Sequence, residues 1–360
     1  MYPTRSPPPA PTRSDFGPSI RHTRPVSLED VWELRTPTDR LISALLLPAS
    51  WLYGFGWESY EAIYRLGLKR PFRPEFRTIA IGNLQVGGLG KTPLTLACAR
   101  LLERSGVRVA ISASGYGSPA WNSGVVLEPR EAADAGAVGD EAALIRTKLP
   151  DVPLLVGRDR VWAAQTAARY QPTILLLDDG FQHLRLARDA DLVIWDPNSA
   201  NKRCLPAGPL REPVGGLKRA AAIATWVSEC KPVEADSQRP TFTFVRRFTG
   251  VRGLKTDEHR TIESLKGWRV NALCAIARPE RFFAALRELG SELATTVALK
   301  DHDSMDGPMP SEGDWIVTAK DAVKLERRDD IGGNWFVLEM DTYPCEEDAL
   351  LSWLTAERRR

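Results

Sequence analysis

The sequence predicts an α/β protein: a parallel sheet core covered by helices on both faces, a second and smaller α/β unit after it, and an apolar helix in front. Three observations carry that expectation. From about residue 77 onward, short continuous apolar runs alternate with stretches of helical spacing, the pattern of strands buried on both faces. The alternation resumes as a second set after a break near residues 240–250. The length of 360 residues suits two domains, and 43% apolar with 26% charged residues is the balance of a chain able to bury a core.

Charge and cysteine usage narrow the function classes. Lys and Arg total 48 against 46 for Asp and Glu, a net of +2, so no nucleic-acid partner is expected and any phosphate binding must be local. The five cysteines, Cys98, Cys204, Cys230, Cys274 and Cys345, sit at no metal-ligand spacing. Their odd number suits no closed disulfide framework, and they read as thiols in a reducing compartment. The histidines His22, His183, His259 and His302 are scattered, so no zinc site is expected.

Residues 1–38 hold eight prolines among Arg, Ser and Thr, a composition that reads as a disordered tail without the marks of a secretory signal. Residues 41–57 then run seventeen positions without a charge. That is marginal for a spanning helix of ~20 residues, and Pro48, Gly54 and Gly56 weaken it further. Downstream, Arg65, Lys69, Arg70, Arg73 and Arg77 stand against Glu75 alone. A basic flank beside an aromatic-rich apolar helix suits the cytoplasmic surface of a bilayer, so residues 39–70 are read as a membrane-associated helix, shallow or spanning. The alternative is a helix buried in the core.

Residues 71–245 form the expected core, with strands at 78–82, 107–111, 153–156, 173–177, 192–195 and 222–227 and a half-exposed strand at 241–245. Residues 246–360 form the smaller unit, with strands at 270–276, 315–318 and 335–338 and helices at 279–289 and 320–325. The first of those helices starts with Pro279 and Glu280 and stops before Gly290.

The strongest motif follows the first core strand. Gly87, Gly88, Leu89, Gly90, Lys91 and Thr92 form a glycine-rich turn opening a helix. Such a turn curls backbone N–H groups around phosphate, and the helix N-terminus adds partial positive charge. Lys91 would reach the β and γ phosphates of a nucleoside triphosphate, and Thr92 would hold Mg²⁺. The core is therefore expected to be P-loop NTPase-like, although Gln85 stands where the strict pattern has glycine. A second apolar strand ends in Asp178 and Asp179, at the strand edge where α/β sheets bind ligands, and one or both would hold the metal. Asp140 and Glu141 open a further helix, where Asp140 by itself reads as a cap.

Taken together, several blocks resemble the tetraacyldisaccharide 4′-kinase family: Ile81-Gly-Asn-Leu with Val86-Gly-Gly-Leu-Gly-Lys-Thr-Pro93, Val138-Gly-Asp-Glu141, Val156-Gly-Arg-Asp-Arg160, Asp178-Asp-Gly-Phe-Gln-His183 and Leu205-Pro-Ala-Gly-Pro-Leu-Arg-Glu-Pro213. Ile276-Ala-Arg-Pro-Glu-Arg-Phe-Phe283, Asp301-His302 and Lys320-Asp-Ala-Val-Lys324 extend the resemblance, which runs in order from about residue 41 to 354. It implies ATP-dependent phosphorylation of the 4′-hydroxyl of a tetraacylated glucosamine disaccharide 1-phosphate, giving the lipid A precursor lipid IVA. It also implies attachment to the cytoplasmic face of the bacterial inner membrane through the N-terminal helix, and no obligate protein partner is expected. Asp140 and His302 match the family's catalytic pair, and Arg211 an active-site arginine. Three positions depart from the pattern: Gln85 for Ser or Thr, Ser114 for an arginine, and Asp303 for a second histidine.

Asp140 is then the expected base for the sugar hydroxyl, with His302 orienting it or carrying the proton, in a cleft between the two units. The rival readings are a membrane-associated P-loop NTPase acting as a nucleotide switch, which needs neither residue, and a soluble small-molecule kinase.

Overall fold

A computed structural model describes residues 28–197, 199–231, 239–256, 258–301 and 303–357. His302 and residues 1–27 of the proline-rich segment lie outside the described residues.

The chain opens with α1 (Leu28–Trp32), α2 (Pro37–Leu45) and α3 (Leu47–Arg65). Residues 28–38, read as tail, are thus partly helical: Val31 is buried, and Trp32 donates from Nε1 to the Pro206 carbonyl at 2.8 Å. Thr36 and Asp39 cap α2 reciprocally, each side chain accepting from the other's backbone N–H. The apolar run forms two helices, because Leu46 ends α2 and Pro48 falls in the first turn of α3, where its missing N–H costs nothing. No helix among the described residues is long and apolar enough to cross a membrane. Nor is α3 a core helix: its buried residues are Ser50 and Gly54, while Trp51, Leu52 and Phe55 are 69%, 73% and 69% exposed. Its usual amphipathic sense is therefore inverted. Small and polar groups face the protein, with Ser43 donating to the Ala207 carbonyl, Ser50 to the Cys204 carbonyl and Tyr53 to the Arg211 carbonyl.

The core follows: β1 (Arg77–Asn83), α4 (Lys91–Arg104), β2 (Val109–Ala113), α5 (Ala120–Ser123), β3 (Val125–Leu127), α6 (Ala135–Val138), α7 (Asp140–Lys148), β4 (Leu154–Val156), α8 (Arg160–Ala167), β5 (Ile174–Asp178), β6 (Ala190–Ile194) and β7 (Ala222–Trp226). β1 lies between β5 and β6 and is parallel to both, with every residue from Thr78 to Asn83 buried. This is the mostly parallel, doubly covered sheet that continuous apolar runs predict.

The chain continues with β8 (Thr241–Gly253), β9 (His259–Arg260), β10 (Arg269–Cys274), α9 (Pro279–Glu288), β11 (Glu292–Ala298), β12 (Asp314–Thr318), α10 (Ala319–Leu325), β13 (Asn334–Pro344) and α11 (Glu347–Thr355). All thirteen strands join one sheet, in the order β11-β10-β12-β13-β8-β7-β6-β1-β5-β2-β4-β3, with β9 on β8. The start of β8 pairs with β7 in parallel, its remainder pairs antiparallel with β13, and the 245/246 position falls within it. Apolar clusters gather around Ile79, Leu94 and Leu176, around Leu286 and Ile316, and around Trp315 and Leu325; the first also takes in Phe242 and Phe244 of β8, Val323 of α10, and Leu350 and Leu354 of α11.

Cysteine pairing departs from expectation. Cys98, Cys204 and Cys274 are buried thiols, but Cys230 and Cys345 form a disulfide with Cα atoms 5.4 Å apart. Topology explains it: Trp226 at the end of β7 and Pro344 at the end of β13 both register with Phe244, on opposite sides of β8. The two strand ends therefore lie level across β8 although the strands run in opposite directions, which sequence spacing does not reveal.

Candidate active site

The phosphate loop leaves the carboxyl end of β1 at the middle of the sheet. Gly90 caps α4 with φ of 93°, left-handed geometry that favours glycine. A Cβ there would also lie 2.0 Å from Arg246 Nη2 and 2.7 Å from the Trp226 ring. Those two residues brace the loop from β7 and β8: Trp226 Nε1 donates to the Leu89 carbonyl at 2.8 Å, and the Arg246 guanidinium stacks over the indole at 3.8 Å. Gly87 and Gly88 are exposed at the mouth of the loop, and Lys91 Nζ donates to the Gly87 carbonyl at 3.2 Å.

Beside the loop, β5 delivers its paired carboxylates. Thr92 donates to Asp178 Oδ2 at 3.0 Å and Thr95 to Asp178 Oδ1 at 2.8 Å. Burial, with the nearby Glu141 charge, pushes the Asp178 carboxyl up to about 6, against the pull of the Thr95 hydrogen bond. Asp179 has φ of 53° and turns its carboxylate the other way. Arg211 grips it with two bonds of 2.8 and 2.9 Å, and Lys91 Nζ lies 3.7 Å away. Burial would raise Asp179, but the Lys91 and Arg211 charges outweigh it and hold the carboxylate down at about 2.

The site's oxygen donors suit Mg²⁺. A threonine hydroxyl and a buried carboxylate within 3.0 Å are hard ligands, and the cation would favour the ionised form that burial disfavours. No cluster of three or more His, Cys, Asp or Glu able to hold a metal occurs among the described residues. Phosphate has matching donors: Arg211 Nε and Asn83 Nδ2 are buried without partners, and Arg211 also bonds Asn83 Oδ1.

Sequence reasoning missed Asn83, Thr95, Arg160, Trp226 and Arg246. Arg160 is 2% exposed and ties two strand ends together, donating to Ser112 Oγ at 2.8 Å and to the Asp178 carbonyl at 2.6 Å; burial lowers its guanidinium to about 10. Asn83 and Arg160 lie inside blocks already singled out, whereas nothing local marks Trp226 or Arg246. Gln85 donates to Ser199 Oγ at 2.9 Å, and Ser114 accepts from the Tyr116 N–H, so both departures from the pattern are accommodated by polar contacts.

Asp140 is not the cap of α7. Gly139 is, and the Asp140 carboxylate pairs instead with Lys324 Nζ of α10 at 2.8 Å, their side chains 10% and 7% exposed. The structure thus groups Lys91, Thr92, Asp178, Asp179 and Arg211, and sets Asp140 on the adjoining helix facing the second unit.

Comparison with known proteins places the chain in a family. The family model described as tetraacyldisaccharide-1-P 4′-kinase, LpxK, matches residues 42–359. The tetraacyldisaccharide 4′-kinase of Geobacter metallireducens is 36% identical over 305 residues, covering 80% of this chain and 90% of its own. That of Anaeromyxobacter dehalogenans is 36% identical over 327 residues, covering 83% and 86%. A crystal structure of LpxK from Aquifex aeolicus in complex with ATP superposes with a TM-score of 0.77 at 28% identity, covering 87% of this chain and 99% of that one. With a phosphate loop, an acidic strand end and a family match over nearly the whole described chain, the protein belongs to the tetraacyldisaccharide 4′-kinase family.

Proposed function

We propose that this chain transfers the γ-phosphate of ATP to the 4′-hydroxyl of an acylated glucosamine disaccharide 1-phosphate, forming lipid IVA. The observation that carries the reading is the phosphate loop set against Asp178 and Asp179, with Asp140 at the start of the adjoining helix. The nucleotide-switch reading requires no such acceptor-side carboxylate, and the family match favours the kinase.

Phosphoryl transfer needs chiefly positioning and charge neutralisation. Loop amides from Gly87 to Thr92 and the α4 N-terminus would cradle the phosphates, with Lys91 and Arg211 opposing the charge that develops on them. Thr92 and Asp178, with Asp179, would hold Mg²⁺, which would supply positive charge against the phosphates. Asp140 accepts the 4′-hydroxyl proton as the new O–P bond forms and the bond from the γ-phosphorus to its bridging oxygen breaks, leaving ADP. His302 orients Asp140 or relays that proton.

The acceptor is a lipid, and the outward apolar face of α2 and α3 is suited to reach it. Leu41, Leu45, Trp51, Leu52, Phe55, Leu66 and Leu68 are all more than half exposed, beside the basic flank from Arg65 to Arg73. That is the composition of a shallow attachment to an anionic leaflet, here the cytoplasmic face of the inner membrane. Residues 71–245 would act as the nucleotide-binding unit and 246–360 as the smaller unit closing on it.

The test is transfer of radiolabelled γ-phosphate from Mg·ATP to tetraacyldisaccharide 1-phosphate in detergent micelles, with Asp140→Ala alongside. Label in the lipid that disappears in the variant is the expected result. Hydrolysis without lipid label, unchanged by the substitution, would move the assignment to the nucleotide switch.

A further inference from the structure

We infer that Lys324 is a positioning residue for Asp140, and that α10 ties the proposed base to Asp303 through one ammonium. The inference rests on the reading of Asp140 as base. Lys324 Nζ reaches Asp140 Oδ2 at 2.8 Å and also donates to the Asp303 carbonyl at 2.7 Å. One turn earlier on the same helix, Lys320 Nζ lies 3.6 Å from Asp301 Oδ1. Residues four apart share a helix face, so these two lysines hold the residues on either side of position 302.

The acid on α10 itself, Asp321, feels the Lys324 charge, but its hydrogen bonds go elsewhere. Asp321 accepts from the Thr318 hydroxyl at 2.7 Å and from the Ala275 N–H at 3.2 Å, which fixes the start of α10 to the end of β10. The Lys324 ammonium is left for Asp140. A buried ion pair is a poor device for stability alone, because removing two charges from water offsets most of their attraction. Its benefit here is geometric: an ammonium fixed by a backbone carbonyl pins one carboxylate oxygen, so the base cannot rotate away from its acceptor.

The experiment is a double-mutant cycle on the full chain, using Asp140→Asn, Lys324→Met and the pair, assayed with Mg·ATP and tetraacyldisaccharide 1-phosphate in detergent. Lys324→Met is expected to lower kcat about 30-fold with both KM values within about threefold, the signature of an interaction that matters in the transition state. The double variant should then match Asp140→Asn within about threefold, since a residue acting through Asp140 has nothing left to position. A merely structural loss would instead multiply with the Asp140→Asn loss. Multiplying losses, or a kcat for Lys324→Met within about threefold of the unaltered chain, would overturn the inference while leaving Asp140 as base. Full activity in Asp140→Asn would overturn the base reading itself. Lys324→Gln, which keeps a donor without the charge, carries the cycle if the Met variant shows no cooperative urea unfolding.

Discussion

Replacing Trp51, Leu52 and Phe55 together by Ala tests the outward face of α3. These side chains are 69%, 73% and 69% exposed, so each has about 70% of its surface left to bury. Full burial of such side chains contributes roughly 1.5–3 kcal/mol, which leaves about 1–2 kcal/mol for each here. A helix lying in the headgroup region submerges only part of that surface. Taking half, the three contribute ~2–3 kcal/mol, or about 30- to 150-fold in partitioning. Alanine favours helix and none of the three is buried, so the fold should persist. Co-sedimentation with vesicles of mixed neutral and anionic lipid measures the partition coefficient, while the kinase assay in detergent controls for the active site. Binding reduced by about that factor, with detergent activity retained, is expected. Vesicle binding unchanged within about threefold would refute the orientation argument, whatever the kinase assay shows.

Three further outcomes follow from buried groups. Burial, with the charge of Arg160, lowers the His183 imidazole from 6.5 to about 3, so the unfolded chain binds a proton that the folded chain refuses. Stability from this group is complete above pH 6.5 and is lost on acidification, by about 2 kcal/mol between pH 8 and pH 5; His183→Gln should flatten that part of the urea-denaturation profile. Glu212 is fully buried and accepts from Arg219 at 2.6 Å, Gln182 at 2.7 Å and Trp57 at 3.1 Å. Arg219 keeps Glu61 as a second partner, so Glu212→Ala should cost about 3 kcal/mol in urea unfolding, the low end for a broken buried pair. Alkylating the denatured, unreduced protein should label only Cys98, Cys204 and Cys274 by mass, and reduction of the Cys230–Cys345 bond should lower stability by about 2–4 kcal/mol.

Chemistry confined to a short stretch of chain was legible before any coordinates. The phosphate loop and the Asp178–Asp179 strand end announce themselves because a buried strand, a turn and a ligand-facing residue follow one another directly. Strands with both faces covered were legible for the same reason. β11 was not, because five of its seven residues are exposed and it presents no continuous apolar run. β8 and β13 were read too short, since their later halves carry Arg246, Arg247, Glu339 and Asp341 among apolar residues. The Asp140–Lys324 pair and the Trp226–Arg246 brace join residues far apart in sequence, and nothing in either segment names its partner. Asp140 illustrates the loss: as an isolated residue at a helix start it reads as a cap, and only the packing of α10 on α7 shows where its charge is directed.

The path of β8 and β13 bears on how the enzyme can move. β7 covers β8 only as far as Phe244, and β12 covers β13 only as far as Leu338. Between those limits the sheet narrows to a ribbon of two strands, in which Val245 to Phe248 pair with Tyr343 to Met340 and a register shift follows Glu339. Two-stranded ribbons take up more twist than wide sheets, and bulges add to it. Any relative twist of the two ends of the sheet would therefore be taken up along this ribbon, and the Arg100–Asp341 pair and the Cys230–Cys345 bond, which sit at it, would have to move with it.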